Sequence, residues 1–146
     1  MNISIITTAI LGGSGILITF FYNWHNRKLA NDKMHKDLFT EFNIRYDKLN
    51  DNLFEIKSSV RSLDELDENT HLKSKLNDFY NLCAEEYFWY KKKRIDPKVW
   101  MGWEAGMNYW YNEVPVIKDA WLEELKNNGY MSYYMKPGDS FFTDKK

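Results

Sequence analysis

The first 24 residues contain no charged side chain, and this constrains the fold more than any other feature of the chain. From Ile3 to Tyr22 the run is dominated by Ile, Leu, Thr, Ala, Gly and Phe. An α-helix rises about 1.5 Å per residue, so about 20 such residues cover the roughly 30 Å of a bilayer's hydrocarbon core. The run closes on Phe20, Phe21, Tyr22 and Trp24, aromatics suited to a membrane–water interface, followed by the cations Arg27 and Lys28. A cleaved signal peptide calls for a basic leading region, a shorter apolar stretch and a small-residue cleavage site, none of which is evident. A buried core helix is the plain structural alternative. Residues 1–24 are therefore predicted to form a transmembrane span, with the lipid bilayer as partner.

Orientation follows from the flanks. An uncharged N-terminus precedes the run, whereas Arg27, Lys28, Lys33 and Lys36 follow it. The positive-inside rule then predicts a single-pass protein of the inner membrane with its C-terminal body in the cytoplasm. The single cysteine, Cys83, excludes an intrachain disulfide framework and agrees with a reducing compartment. Within the run, Thr8/Gly12, Ala9/Gly13 and Gly15/Thr19 are small residues four apart. That spacing lets helix backbones approach closely in lipid, so self-association into an oligomer is expected.

No glycine or proline occurs between Gly15 and Pro97, so nothing forces a break after the span. Residues 25–38 are mostly polar and read as an exposed helical stalk. From there Phe39, Phe42, Tyr46, Leu49, Leu53, Ile56, Val60 and Leu63 follow in steps of three and four, the 3.5-residue repeat of a coiled-coil-like helix. Ser62 to Thr70, acidic and rich in capping residues, predicts a turn. A second helix is predicted from about Thr70 to Arg94, ending on Lys91, Lys92, Lys93 and Arg94, where cations suit the helix dipole. Asp96 and Pro97 make a strong start for a third, and Pro115 opens a short fourth ending near Lys126, with Gly129 as C-cap. The predicted class is all-α: a transmembrane helix continuing into a long helix, an antiparallel hairpin, and two shorter C-terminal helices. The predicted division is 1–24 span, 25–38 stalk, 39–129 cytoplasmic helical domain and 130–146 tail.

The most unusual residues fall between Asn81 and Tyr111, which holds four of the six tryptophans. Net charge is −1, so no whole-protein field attracts nucleic acid, which is not expected as a partner. The segment has no phosphate loop or nucleophile elbow, and His25, His35 and His71 lack the spacing of a metal site. No metal, cofactor or catalytic residue is predicted. Glu86 falls on or beside the buried stripe of its helix and needs a partner there, from Tyr hydroxyls, Trp indoles or Arg45. Glu104 sits among Trp100, Trp103 and Met107. Two carboxylates so placed either fix helix register or do acid–base work. Gly102 and Gly106 allow a close helix crossing, or leave a groove lined by Trp, Tyr and Met. The candidate binding residues are Glu86, Trp100, Trp103, Glu104 and Trp110.

The segment Cys83-Ala84-Glu85-Glu86-Tyr87, with Ile95-Asp96, Val99-Trp100 and Trp103 after it, resembles a family of small bacterial proteins. The likeness covers about residues 38 to 125. It implies one N-terminal membrane span and a helical cytoplasmic domain, and some similar proteins are associated with defence against phage. It implies no particular chemistry. The leading expectation is a membrane-anchored adaptor or effector, leaning away from an enzyme and acting through contacts with an unknown protein partner. The alternatives are a ligand sensor or enzyme using a Glu/Trp cleft, and an oligomeric effector that permeabilises the membrane.

Overall fold

The computed structural model describes residues 3–126 and 129–145, with side chains from residue 18 onward. These residues are all-α: five α-helices and one turn of 3-10 helix, with no strand among them. The first helix, α1 (Ile3–Ser59), is continuous, as expected where neither glycine nor proline follows Gly15. Contacts divide the chain into two compact units, Met1–Asp37 and Leu38–Lys146. Among the described residues no helix is long and apolar enough to cross a membrane. Most of the predicted span, residues 1–17, lies outside the described side chains. Of the predicted interface residues, Phe20, Phe21, Tyr22 and Trp24 are exposed, as are Arg27 and Lys28.

In the second unit the 3.5-residue repeat becomes the core face of α1. Phe42, Leu49, Leu53 and Ile56 are buried, and Phe39, first of the series, stays exposed. Two features differ from the sequence expectation here. The helix stops at Ser59 rather than running on to Leu63, and the predicted turn contains a six-residue helix, α2 (Leu63–Glu68). Its caps explain both. The Ser62 hydroxyl accepts from the Glu65 N–H while the Glu65 carboxylate accepts from the Arg61 N–H, so orphan donors at the helix start are satisfied locally.

Asn69 then caps α3 (Thr70–Lys91), accepting from the Leu72 N–H. α3 runs antiparallel to α1, with Arg45 bonded to Glu85 and Asn52 to His71. It ends three residues earlier than predicted. Lys93 takes a left-handed conformation (φ 58°), its N–H bonding to the Tyr90 carbonyl and that of Arg94 to the Trp89 carbonyl. This is the 6→1, 5→2 pattern of a Schellman motif, built here without glycine. Three of the four clustered cations therefore form the exit turn rather than the last helical turn.

Asp96 and Pro97 start α4 (Pro97–Glu113) as predicted, the Asp96 carboxylate accepting from the Lys98 N–H. α5 (Pro115–Lys126) follows directly, and Gly129–Met131 forms the 3-10 turn. Gly129 is no left-handed cap, since only Gly138 among the described glycines has positive φ. It is required for closeness: a Cβ there would lie 2.4 Å from the Glu124 carbonyl oxygen.

The segment from residue 130, set apart in the sequence as a tail, supplies core. Tyr133, Met135, Phe141 and Phe142 are buried, and Phe142 stacks on Tyr111 with ring centroids 4.7 Å apart. Trp121 packs against Tyr80, Tyr133, Phe141 and Phe142. Asn108 and Asn112, one turn apart on α4, clasp the end of this strap by its backbone: Asn108 accepts from the Thr143 N–H, and Asn112 donates to the Thr143 carbonyl and accepts from the Lys145 N–H.

Candidate functional site

Where α1, α3 and α4 meet, the packing leaves a cleft of about 140 Å³. α1 contributes Tyr46, from its repeat, and Asn43 beside it. α3 contributes Phe79, Leu82, Cys83 and Glu86, again in steps of three and four. α4 contributes Gly102, Trp103, Gly106 and Met107. Each helix thus presents one stripe of side chains, and the cleft exists because α4 carries glycine twice at i, i+4. A Cβ at either glycine would meet no atom within 4 Å. The close crossing that the glycines could have served is not made here. They leave space above the helix backbone.

Glu86, 5% exposed, is the only residue of a charged type that is buried among the described residues. Two of the donors proposed for it from sequence, Arg45 and the Trp110 indole, are engaged elsewhere. Arg45 gives both guanidinium nitrogens to Glu85, at 2.5 and 2.9 Å. The Trp110 indole N–H donates to the Tyr46 hydroxyl at 2.9 Å. Among the described residues no donor reaches the Glu86 carboxyl, yet no fully enclosed side-chain polar atom is left unpartnered. The carboxyl oxygens therefore keep access to the cleft, which Glu86 lines. Burial pushes this carboxyl up to about 8; the Arg45 charge pulls it down and the Glu85 charge adds to the rise. Near neutrality it is mostly a protonated acid. Burial also raises the Cys83 thiol well above its usual range and raises the Tyr46 hydroxyl. The walls of the cleft are thus neutral at pH 7, apolar for the most part, and contain one carboxyl with unused hydrogen-bonding capacity.

The five predicted binding residues do not form one site. Glu86 and Trp103 share the cleft. Trp110 is buried behind it and touches it only through Tyr46. Trp100 lies on another part of the core, stacked on Tyr90 at 4.6 Å and packed against Tyr87. Glu104 is half-buried and outside the cleft, so the two carboxylates do not converge on it. Tyr46, Asn43 and Phe79 were not singled out in the sequence as binding residues. The signal for Tyr46 was there: it is the one hydroxyl on the apolar repeat of α1. No group of His, Cys, Asp and Glu among the described residues could hold a metal ion.

A wider depression of about 490 Å³ adjoins Arg45 and Glu85. Four of its charges pair with one another, Arg45 with Glu85 and Lys75 with Asp78, Lys48 is exposed, and it contains no buried group in want of a partner. The smaller cleft is the better candidate. No model of a known protein family, no curated protein and no solved structure matches the chain.

Proposed function

We propose that the helical unit is a binding module whose cleft between α1, α3 and α4 accepts a small apolar group. One observation carries the reading: Glu86, a residue 5% exposed, turns its carboxyl to open space with no donor from the protein. Burying Glu86 without a hydrogen bond from the protein disfavours its charged form, and this raises its titration. Glycine inside a helix costs about 0.5–1 kcal/mol relative to alanine. Both features fall at the same cleft, and neither is required by the packing around it. An occupant would satisfy the first and use the space created by the second. Acid–base catalysis is the weaker reading, because the cleft offers one carboxyl without a second carboxylate or a histidine.

The uncharged run of residues 1–24 supports a tether. In this proposal it spans the inner membrane, leaves the helical unit in the cytoplasm, and associates with a second copy through its small residues. Deleting residues 1–24 should move the protein from the membrane to the soluble fraction. Replacing Gly12 and Gly13 with leucine should abolish cross-linked dimers in membranes.

The cleft is tested with neutral probes on the full chain in detergent micelles. Pentan-1-ol and toluene should change the emission of Trp103 saturably and raise the unfolding midpoint. Gly106→Leu, which fills the space, should abolish both effects. Saturable binding that persists unchanged in Gly106→Leu would place the probe elsewhere and remove the basis of the proposal.

A further inference from the structure

The geometry points to a primary ammonium group, carried on an apolar stem, as the chemistry this cleft recognises. The inference rests on the cleft being a binding site and adds the class of its occupant.

Size comes first. A protein cavity of about 150 Å³ holds a benzene ring, so the cleft takes about four to six carbons and no more. Its polar groups then fix the head. Glu86 is one acceptor. Asn43 uses its amide nitrogen on the Phe39 carbonyl, which leaves its side-chain oxygen available as a second. The Tyr46 oxygen already takes one hydrogen bond, from Trp110, and retains a lone pair for another. Three acceptor atoms around one apolar space suit a head with three donors, which –NH₃⁺ carries, while the Tyr46 hydroxyl also keeps a proton of its own to donate. No basic side chain lines the cleft. An anionic head would meet Glu86 and find no cation to pair with, since Arg45 is held in a two-pronged bond by Glu85. Phe79, Tyr46 and Trp103 among the lining add aromatic rings, which favour a cation over a neutral head.

Charge balance gives the inference a signature. The groups facing Glu86 are Arg45 and Tyr46 from α1 and Cys83 and Glu85 from α3; α4 brings no charged residue to the cleft. The Arg45–Glu85 pair is neutral as a whole, and Cys83 and Tyr46 stay protonated. An arriving ammonium therefore pairs with Glu86 alone, which must ionise and release its proton to solvent. With burial pushing the carboxyl up to about 8, most sites release a proton on binding at pH 7. The ammonium can come from a free small amine or from a lysine side chain, and the two present the same stem and head.

Calorimetry on the full chain in micelles tests this with pentylamine, pentan-1-ol, pentanoate and Nα-acetyl-lysine methylamide, in buffers of different ionisation enthalpy. Pentylamine is expected to bind at least about tenfold more tightly than pentan-1-ol and to release close to one proton. Glu86→Gln, which cannot ionise, should lose that tenfold preference and the proton release while retaining pentan-1-ol. Gly106→Ala, which favours the helix while narrowing the cleft, should weaken every probe without loss of fold. Blocked lysine binding as well as pentylamine identifies a protein side chain as the source; pentylamine binding alone identifies a free amine. Pentan-1-ol or pentanoate binding as tightly as pentylamine, or a preference unchanged in Glu86→Gln, overturns the ammonium and leaves the cleft standing. Binding of none of the probes overturns both.

Discussion

Replacing Glu86 with glutamine tests the greatest part of the structure in one substitution. The carboxyl is pushed up to about 8 from its ordinary 4.5, chiefly by burial. In the unfolded chain it ionises at ordinary pH; in the native chain it holds its proton. Between pH 4.5 and about 8 the native state therefore binds more protons, so stability falls as pH rises through that window and levels off above it. At about 1.4 kcal/mol per pH unit, the whole window is worth at most about 5 kcal/mol, of which about 4 lies between pH 5 and pH 9. Glu86→Gln keeps the shape and a neutral polar head but cannot ionise. Urea unfolding of the full chain in micelles, followed by tryptophan fluorescence, should place the two proteins within about 1 kcal/mol of each other at pH 5. At pH 9 the variant should be the more stable by about 4–5 kcal/mol. Parallel stability curves from pH 5 to pH 9 would mean that Glu86 ionises as freely in the native chain as in the unfolded one. That result would refute both its burial and the low-dielectric character of the cleft.

Four further outcomes follow from the packing. Gly106→Ala should stabilise the unit by about 0.5–1 kcal/mol in the same unfolding assay, since the new Cβ meets no atom within 4 Å. Gly129→Ala should do the reverse, lowering stability by about 1–3 kcal/mol, because its Cβ would lie 2.4 Å from the Glu124 carbonyl oxygen. Lys93→Gly should raise stability by about 0.5–1 kcal/mol by removing the left-handed strain at φ 58°, partly offset by the greater freedom of glycine in the unfolded chain. Tyr80→Phe removes the buried 2.6 Å bond to the Ile117 carbonyl and should cost about 1 kcal/mol, read as a shift of the urea midpoint without a change of slope.

The helices were legible because their signals are local. The repeat from Phe42 to Ile56, the Asp96-Pro97 start and the absence of glycine or proline from residue 16 to residue 96 each act locally. Boundaries were less so. The stop at Ser59 depends on Glu65 reaching back to the Arg61 N–H, and the α3 exit on Lys93 accepting a conformation usually left to glycine. The role of residues 130–146 could not be read from period, because Phe141 and Phe142 enter the core from irregular backbone held by Asn108 and Asn112. Glu86 was visible as an anomaly on an apolar stripe, but its lack of a donor was not. That lack is set by Arg45 choosing Glu85 and Trp110 choosing Tyr46, partners 40 and 64 residues away in sequence.

These two pairings also explain why the cleft persists instead of collapsing. Arg45 and Glu85 tie α1 to α3 on one side of Glu86, and Tyr46 and Trp110 tie α1 to α4 on another. Trp103 is held edge-on to Phe42 and stacked near Phe39. The three helices are thus braced around a space that none of them fills. Collapse onto Gly102 and Gly106 would require breaking a two-pronged ion pair or burying Glu86 completely, and both oppose it. Left-handed Lys93 and Tyr134 lie away from the cleft, but a buried acid without a protein donor and two glycines inside a helix line the same 140 Å³. In a chain whose other elements agree with their sequence signals, a coincidence of that kind marks a site shaped for an occupant rather than for stability.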